Sequence, residues 1–580
     1  MASHSDHSSN TDLPALGDSP LADARQLRTI GSGQIGGKAQ GLARIRKTLA
    51  AEFDPSEFPT IHIDIPWFTV ICTDIFDAFM RDNNLYETAY ADLPDEQIAS
   101  AFQQAVFPNE VLEALRPLVE NFSMPLAVRS SSLMEDAKHM PLAGVYITKM
   151  IPNQGCDADT RLNNLVKAVK LVYASTFFMD AKGNFARIEQ RIEDEKMAVI
   201  IQKTVGGQHG QRYYPELSGV ARTYSYYPFK PAKPQDGVVS LALGLGKTIV
   251  DGGASWIYSP LYPKVAPPFG SINDLLKSSQ TEFWSIDMEE PCGSDPADDT
   301  EYMQRQSIIT AKKDGALRYL ASTFNPQSGR LTPGISVRGP RALTFAPLLV
   351  MKEIPVNELL IRLMSICEQA FETPVEIEFA MTFNPNHFAF LQVRAMVIPE
   401  GNVEITPEEM NGQDVMLASE TVFGNGVNDT VKDIVYIKPD NFELRHTRMA
   451  VSELEKMNAK LVEAGKPYLL VVFGRLGTAD PWLGIPIPWR QINGAKIIVE
   501  ATKENIKVEL SQGSHFFHNI INLNILYFCL PHASPYSIDW EWLDQQELVE
   551  ETRFLRHVQL PKPLNVRVDG RANKGVIRKN

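Results

Sequence analysis

Arg129 comes at the end of a short apolar run, Leu126, Ala127 and Val128, and is followed at once by Ser130, Ser131 and Ser132. A polar, acidic segment comes next, then Gly144 and a β-prone run through Val145, Tyr146, Ile147 and Thr148. The stretch 126–150 thus gathers one permanent cation, several small hydroxyls and a glycine that lets backbone approach a ligand closely. A polyphosphate needs all three: charge for the anion, donors for its oxygens, and no side chain in the way. The same residues also describe a serine-rich turn whose arginine pairs with Glu135 or Asp136. Taken alone, the stretch leaves both readings open.

Three further stretches carry side chains of related kinds. In 30–50, IGSGQIGGKAQGLARIRKTLA, a glycine-rich loop runs into a helix with Leu42, Ile45 and Leu49 at helical spacing. Lys38 sits at the junction, where free backbone N–H groups and a mobile ammonium suit an anion, although glycine before a helix is more often just a turn. The loop is not a Walker A motif, because the spacing from Gly31 to Lys38 is wrong and no Ser or Thr follows the lysine. The run 197–205, MAVIIQKTV, reads as a buried strand first interrupted at Gln202, either a satisfied core amide or a contact to a ligand's polar edge.

The third stretch, VEIEFAMTFNPNHFAFLQVRAM at 375–396, alternates in both arms and predicts a hairpin. Glu376 and Glu378 share one face of their strand, as do Gln392 and Arg394 of theirs. A three-residue loop, Asn384, Pro385 and Asn386, sets Phe383 opposite His387, Glu378 opposite Gln392 and Glu376 opposite Arg394. Loops of two or four residues put the two sets on opposite faces. The three-residue loop is the expectation, since Asn386 tolerates the left-handed conformation such loops want. The shared face then offers carboxylates, an amide oxygen and a guanidinium, a set that fits a magnesium nucleotide. A surface cross-strand salt bridge is the other reading of the hairpin.

The elements that must position these residues read as mixed α and β. A strand-like stretch covers 59–73, helices are expected near 75–80, 95–102, 110–118, 160–173 and 358–371, and strands begin near 218 and 238. Residues 244–248, GLGKT, invite a phosphate-loop reading, but Leu241 stands where that motif requires glycine. The acidic segment 267–306 lacks apolar periodicity and reads as a long surface excursion.

At 580 residues the chain has room for several domains. A net charge of −14 argues against a broad basic face for nucleic acid. The five cysteines lie far apart with no C-x-x-C pair, which suits a reducing compartment and no thiolate metal site. The N-terminus has neither a basic n-region nor an apolar h-region, and no apolar run reaches the roughly 20 residues of a membrane span. The expectation is a soluble, cytoplasmic protein without nucleic-acid or membrane partners, whose residues 1–27 form a mobile tail.

Together the ordered motifs GGKAQGL, VRSSSLMEDAKHMPLAGVYIT, VIIQKTV with SGVARTY, and VEIEFAMTF with LQVRAM resemble the nucleotide-binding domain of the pyruvate phosphate dikinase and phosphoenolpyruvate synthase family. The resemblance covers 30–396 and implies an ATP-grasp fold. It implies ATP phosphates held by Lys38 and Arg129, a phosphate loop containing Gly144 and Thr148, and adenine near Gln202. It further implies Mg2+ on Glu378 and Gln392, Arg394 on the phosphates, and Glu376 where the family usually has an aspartate beside the metal. Two positions depart from the family: Lys247 stands where GLGE has its glutamate, and Ala395 where Q-x-R-P has its proline.

The resemblance also implies a mobile phosphohistidine domain and a pyruvate-binding barrel. Fewer than 200 residues follow Met396, and a β/α barrel alone needs about 250, so the barrel is expected to be absent. The expected organisation is a tail at 1–27, an ATP-grasp domain at 28–400, and a divergent, swivelling phosphohistidine-like β/β/α domain at 401–580. Gly513, Ser514 and His515 match the short pattern around the family's phosphorylated histidine, with His518 close behind; packing or capping histidines are the bland alternative. The resulting expectation is an ATP-dependent phosphotransferase of the dikinase type, with Arg129, Arg394 and His515 as catalytic residues. Its acceptor is a pyruvate-like small molecule or a protein. A catalytically degenerate ATP-binding regulatory module, and the nucleotide-binding half of a split pyruvate dikinase completed by a separate pyruvate-binding subunit, are the alternatives.

Overall fold

The computed structural model describes residues 28–579 except 136–144, 155–156, 188–190, 227, 229–230, 266–271, 273–274, 277–278, 290–297, 336–337, 397–402, 479–483 and 504–524. Two sheets and one helix position the residues singled out above. The first sheet has five strands in the order Arg28–Ile30, Phe68–Ile71, Met197–Lys203, Leu126–Ser132 and Thr148–Ile151. Its middle strands are near-continuous apolar runs because both faces are covered. Leu126, Val128, Val199 and Ile201 point into a layer of helices, Thr73–Asp82, Asp95–Gln104, Asn109–Asn121 and Ala158–Ser175, which supply Phe79, Phe102, Leu115 and Tyr173 to the same core.

The second sheet has six strands, in the order Trp256–Tyr258, Val238–Ala242, Leu217–Arg222, Val375–Phe383, Asn386–Ala395 and His62–Asp64. The helix Val356–Phe371 covers one face with Leu359, Leu360 and Leu363. The stretch 59–73 is therefore two strands in different sheets rather than one. Pro66 lies between them, and a residue without an N–H interrupts a ladder.

The helix Gly36–Glu52 joins the two layers. Ala39 and Leu42 pack with Phe68, Val70 and Ile200 of the first sheet, while Ile45 belongs to the core of the second. Gly41 permits that double contact, because a Cβ there would stand 2.5 Å from the Val393 carbonyl oxygen. The expectation of a surface excursion at 267–306 is corrected: Glu282–Asp287 and Met303–Ser307 pair in a four-stranded sheet with Gly207–His209 and Arg212–Tyr214. Met303–Ser307 is an edge strand with no buried residue, so it leaves no alternation to read.

Beyond 415 a second core forms around a seven-stranded sheet, whose centre is four parallel strands, Asp433–Ile437, Tyr468–Phe473, Ala495–Ala501 and Leu526–Leu530. The helix Thr447–Glu463 connects the first two of these, as parallel neighbours require a crossover. Tyr226 meets Phe423 edge-to-face at 4.6 Å, and Arg475 Nη1 donates to the Gly252 carbonyl at 2.6 Å, tying this region to the sheets before it. Among the described residues no helix is long and apolar enough to cross a membrane.

Candidate functional site

Arg129 spans the gap between the two sheets. It stands on the first, directly opposite Thr148 on one side and Ile200 on the other. From there its Nη1 donates to the Leu391 carbonyl at 2.6 Å and to Gln202 Oε1 at 3.3 Å. Its Nη2 donates to Gln392 Oε1 at 2.9 Å and lies 3.5 Å from Glu378 Oε2. Arg129 thus does not pair with Glu135 as the serine-turn reading had it; Glu135 pairs with Lys38 Nζ at 2.5 Å. Asp136 lies outside the described residues, as do Gly144, His515 and His518.

The hairpin reaches the expected pairing by an unexpected route. The turn has two residues, Asn384 and Pro385, with Phe383 opposite Asn386 and Thr382 opposite His387, which corrects the three-residue loop. A two-residue turn alone would send the acidic and amide residues to opposite faces. A bulge at Leu391 restores the register, so that Glu378 faces Gln392 and Glu376 faces Arg394. The bulge also turns the Leu391 carbonyl out of the ladder to the place where Arg129 uses it.

Glu376 is 1% exposed and sits between two guanidiniums. Arg394 Nε and Nη2 donate to its Oε1, and Arg222 Nε, from the neighbouring strand, donates to its Oε2 at 2.5 Å. Its part in this arrangement is to hold two arginines at fixed positions. Gln202, 1% exposed, leaves its Nε2 without a partner, an expensive state for a buried amide unless a ligand accepts from it. Glu378 and Gln392 present one carboxylate and one amide oxygen side by side. Such hard donors fit Mg2+ when phosphates and water supply the remaining ligands. Here the Arg129 guanidinium provides the positive charge facing both.

Lys38 lies in the first turn of Gly36–Glu52, donating to Ser130 Oγ at 3.0 Å. Ser131 fastens that turn: its hydroxyl accepts from the Ala39 N–H at 3.1 Å and donates to the Ile35 carbonyl at 2.8 Å. Gly36 makes this approach possible, with φ at +74° and a virtual Cβ 1.6 Å from the Ser131 carbonyl oxygen. Gly36→Ala is expected to cost about 1–3 kcal/mol from backbone strain alone, and more from the clash, read as a lower urea midpoint. On the other shoulder of 126–150, the buried Tyr146 hydroxyl donates to Glu195 Oε2 at 2.8 Å, and burial raises both pKa values above their ordinary ranges.

Lys247, the reversed charge in GLGK, lies 3.4 Å from Asp251 Oδ2 and 3.5 Å from Asp299 Oδ2. Burial works against its charge, but the two carboxylates outweigh burial and raise its pKa. Sequence reasoning quoted SGVARTY without giving Arg222 a role, and it had no signal for the Leu391 carbonyl. Both depend on which strands become neighbours.

Two sheets bridged by a helix, with a guanidinium from one reaching carboxylate and amide oxygens on the other, fit the ATP-grasp-type class to which the following family match assigns the domain. The model of the pyruvate phosphate dikinase AMP/ATP-binding domain matches residues 32–413. That is more than half of the 580 residues, and the chain belongs to this family, one of kinases and transferases with ATP as ligand. A search of curated proteins returned no match.

Proposed function

We propose that the chain is an ATP-dependent phosphotransferase of the dikinase type, moving a phosphoryl group from Mg-ATP through His515 to a pyruvate-like small molecule or a protein. The observation that carries this reading is Arg129, which gathers Gln202, Glu378, Gln392 and the Leu391 carbonyl from two sheets. Lys38, Arg129, Gly144, Thr148 and Arg394 serve the phosphates, and the unpartnered Gln202 amide serves the adenine edge. Glu378 and Gln392 hold Mg2+, which when bound neutralises phosphate charge. Glu376 acts by keeping Arg222 and Arg394 in place.

Formation of AMP requires an imidazole nitrogen of His515 to bond to the β-phosphorus while the bond from that phosphorus to the α-phosphate oxygen breaks. This places a pyrophosphoryl group on His515; water then takes the terminal phosphoryl group as inorganic phosphate and leaves the phosphohistidine. Fixed cations stabilise the charge that develops, the main source of rate in such transfers. Lys247, which as the replacement for the glutamate of GLGE favours a degenerate ATP-binding module, has its charge balanced locally by Asp251 and Asp299. The test is acid-labile phosphate after incubation with Mg-ATP. Wild type and His518→Ala are expected to retain it and His515→Ala to lose it. Label that persists in His515→Ala overturns the assignment.

A further inference from the structure

His62, Asp64 and His387 converge at the edge of the second sheet formed by the strand His62–Asp64. His62 and Asp64 are two residues apart on the edge strand His62–Asp64, so they point to one face. That strand runs parallel to Asn386–Ala395, with His62 directly opposite His387. One ligand atom from each of the three side chains falls within 4.8 Å of the others. His387 Nε2 lies 2.7 Å from Asp64 Oδ1, and His62 Nε2 lies 3.4 Å from Asp64 Oδ2. The two rings tilt past each other at a centroid distance of 5.3 Å.

We propose that these residues form a divalent transition-metal site of the zinc class. Two neutral imidazoles and one carboxylate are the donors such an ion prefers. Ligands about 2.0–2.1 Å from a tetrahedral ion stand about 3.3 Å from one another, close to the His62–Asp64 separation found here. The nearer His387–Asp64 pair must open slightly, and coordination through Nε2 places the His387 hydrogen on Nδ1. His62, 70% exposed, leaves the ion's remaining positions to water. Arg46 and Lys203 also feel the Asp64 charge and moderate the affinity.

The backbone holds the ligands in place independently of any metal: the two strands pair at three positions, and Asn386 Nδ2 donates to the Thr60 carbonyl at 3.1 Å. The site is therefore formed before the ion arrives, which lowers the ordering cost of binding. An ion here ties the edge strand to the same hairpin strand that carries Gln392 and Arg394.

The test is zinc binding to the full chain by titration against a chromophoric chelator, with Co2+ absorption as a readout of coordination. Because the chain has eleven histidines, wild type is compared directly with His62→Ala, Asp64→Asn and His387→Ala. The expected result is one equivalent of zinc bound by wild type and lost, or weakened at least about tenfold, in each variant, with the Co2+ bands lost in parallel. Equal stoichiometry and affinity in wild type and variants, or no binding by wild type, overturns the proposal. His62 is exposed enough that its alanine variant is expected to fold even if His387→Ala does not.

Discussion

Arg129→Ala is expected to remove nearly all ATP-dependent activity while leaving a folded chain. The guanidinium makes contacts to four groups on two sheets. A charge-assisted hydrogen bond contributes about 1.5–3 kcal/mol, so ATP affinity should fall about 10- to 100-fold. Loss of a cation that meets charge developing during transfer should lower turnover by a further factor of about 10²–10³. Arg129→Lys should recover little, because an ammonium cannot serve the Leu391 carbonyl and Gln392 from one planar fork. Calorimetry with ATP separates the binding loss, and circular dichroism verifies the fold. Unchanged ATP affinity in Arg129→Ala would remove this residue from the site.

Glu376→Ala is expected to give the largest loss of stability among the site residues. The substitution strips the carboxylate from two arginines at once, Arg222 and Arg394, in a place where Glu376 itself is 1% exposed. Removing one partner of a buried ion pair costs about 3–5 kcal/mol, because charge is left without compensation. Glu376→Gln keeps an acceptor but not the charge and should fall between the two. The measurement is a urea unfolding curve, with a lower midpoint in the order Gln, then Ala. If both variants unfold like wild type, Glu376 does not hold the arginines as described.

The hairpin shows how sequence can lead to the right pairing through the wrong turn. Alternation identified both arms, and the chemistry of Glu378, Gln392 and Arg394 made a shared face attractive. Asn384 and Pro385 form the whole turn, however, and the compensating bulge at Leu391 sits within an apolar run that shows no break in the pattern. The longer helices before residue 400 were readable to within a few residues, as at Ala158–Ser175, because their apolar faces repeat at helical spacing.

Contacts between strands far apart in the chain were the least legible. Arg222 meets Glu376 only because Leu217–Arg222 lies beside Val375–Phe383, and His62 meets His387 only because a three-residue edge strand adds to the hairpin. No local pattern encodes either neighbour. The exposed edge strand Met303–Ser307 was missed for a related reason: its hydrogen bonds to Glu282–Asp287, not a buried face, make it a strand.

The most direct test of the central claim is the product made from Mg-ATP by the purified chain without added acceptor. The account predicts AMP, released in a burst of up to one per chain together with an acid-labile phosphoryl group, and little ADP. ATP that binds with Arg129-dependent affinity but yields neither AMP nor labile phosphate would contradict it and leave an ATP-binding regulatory module.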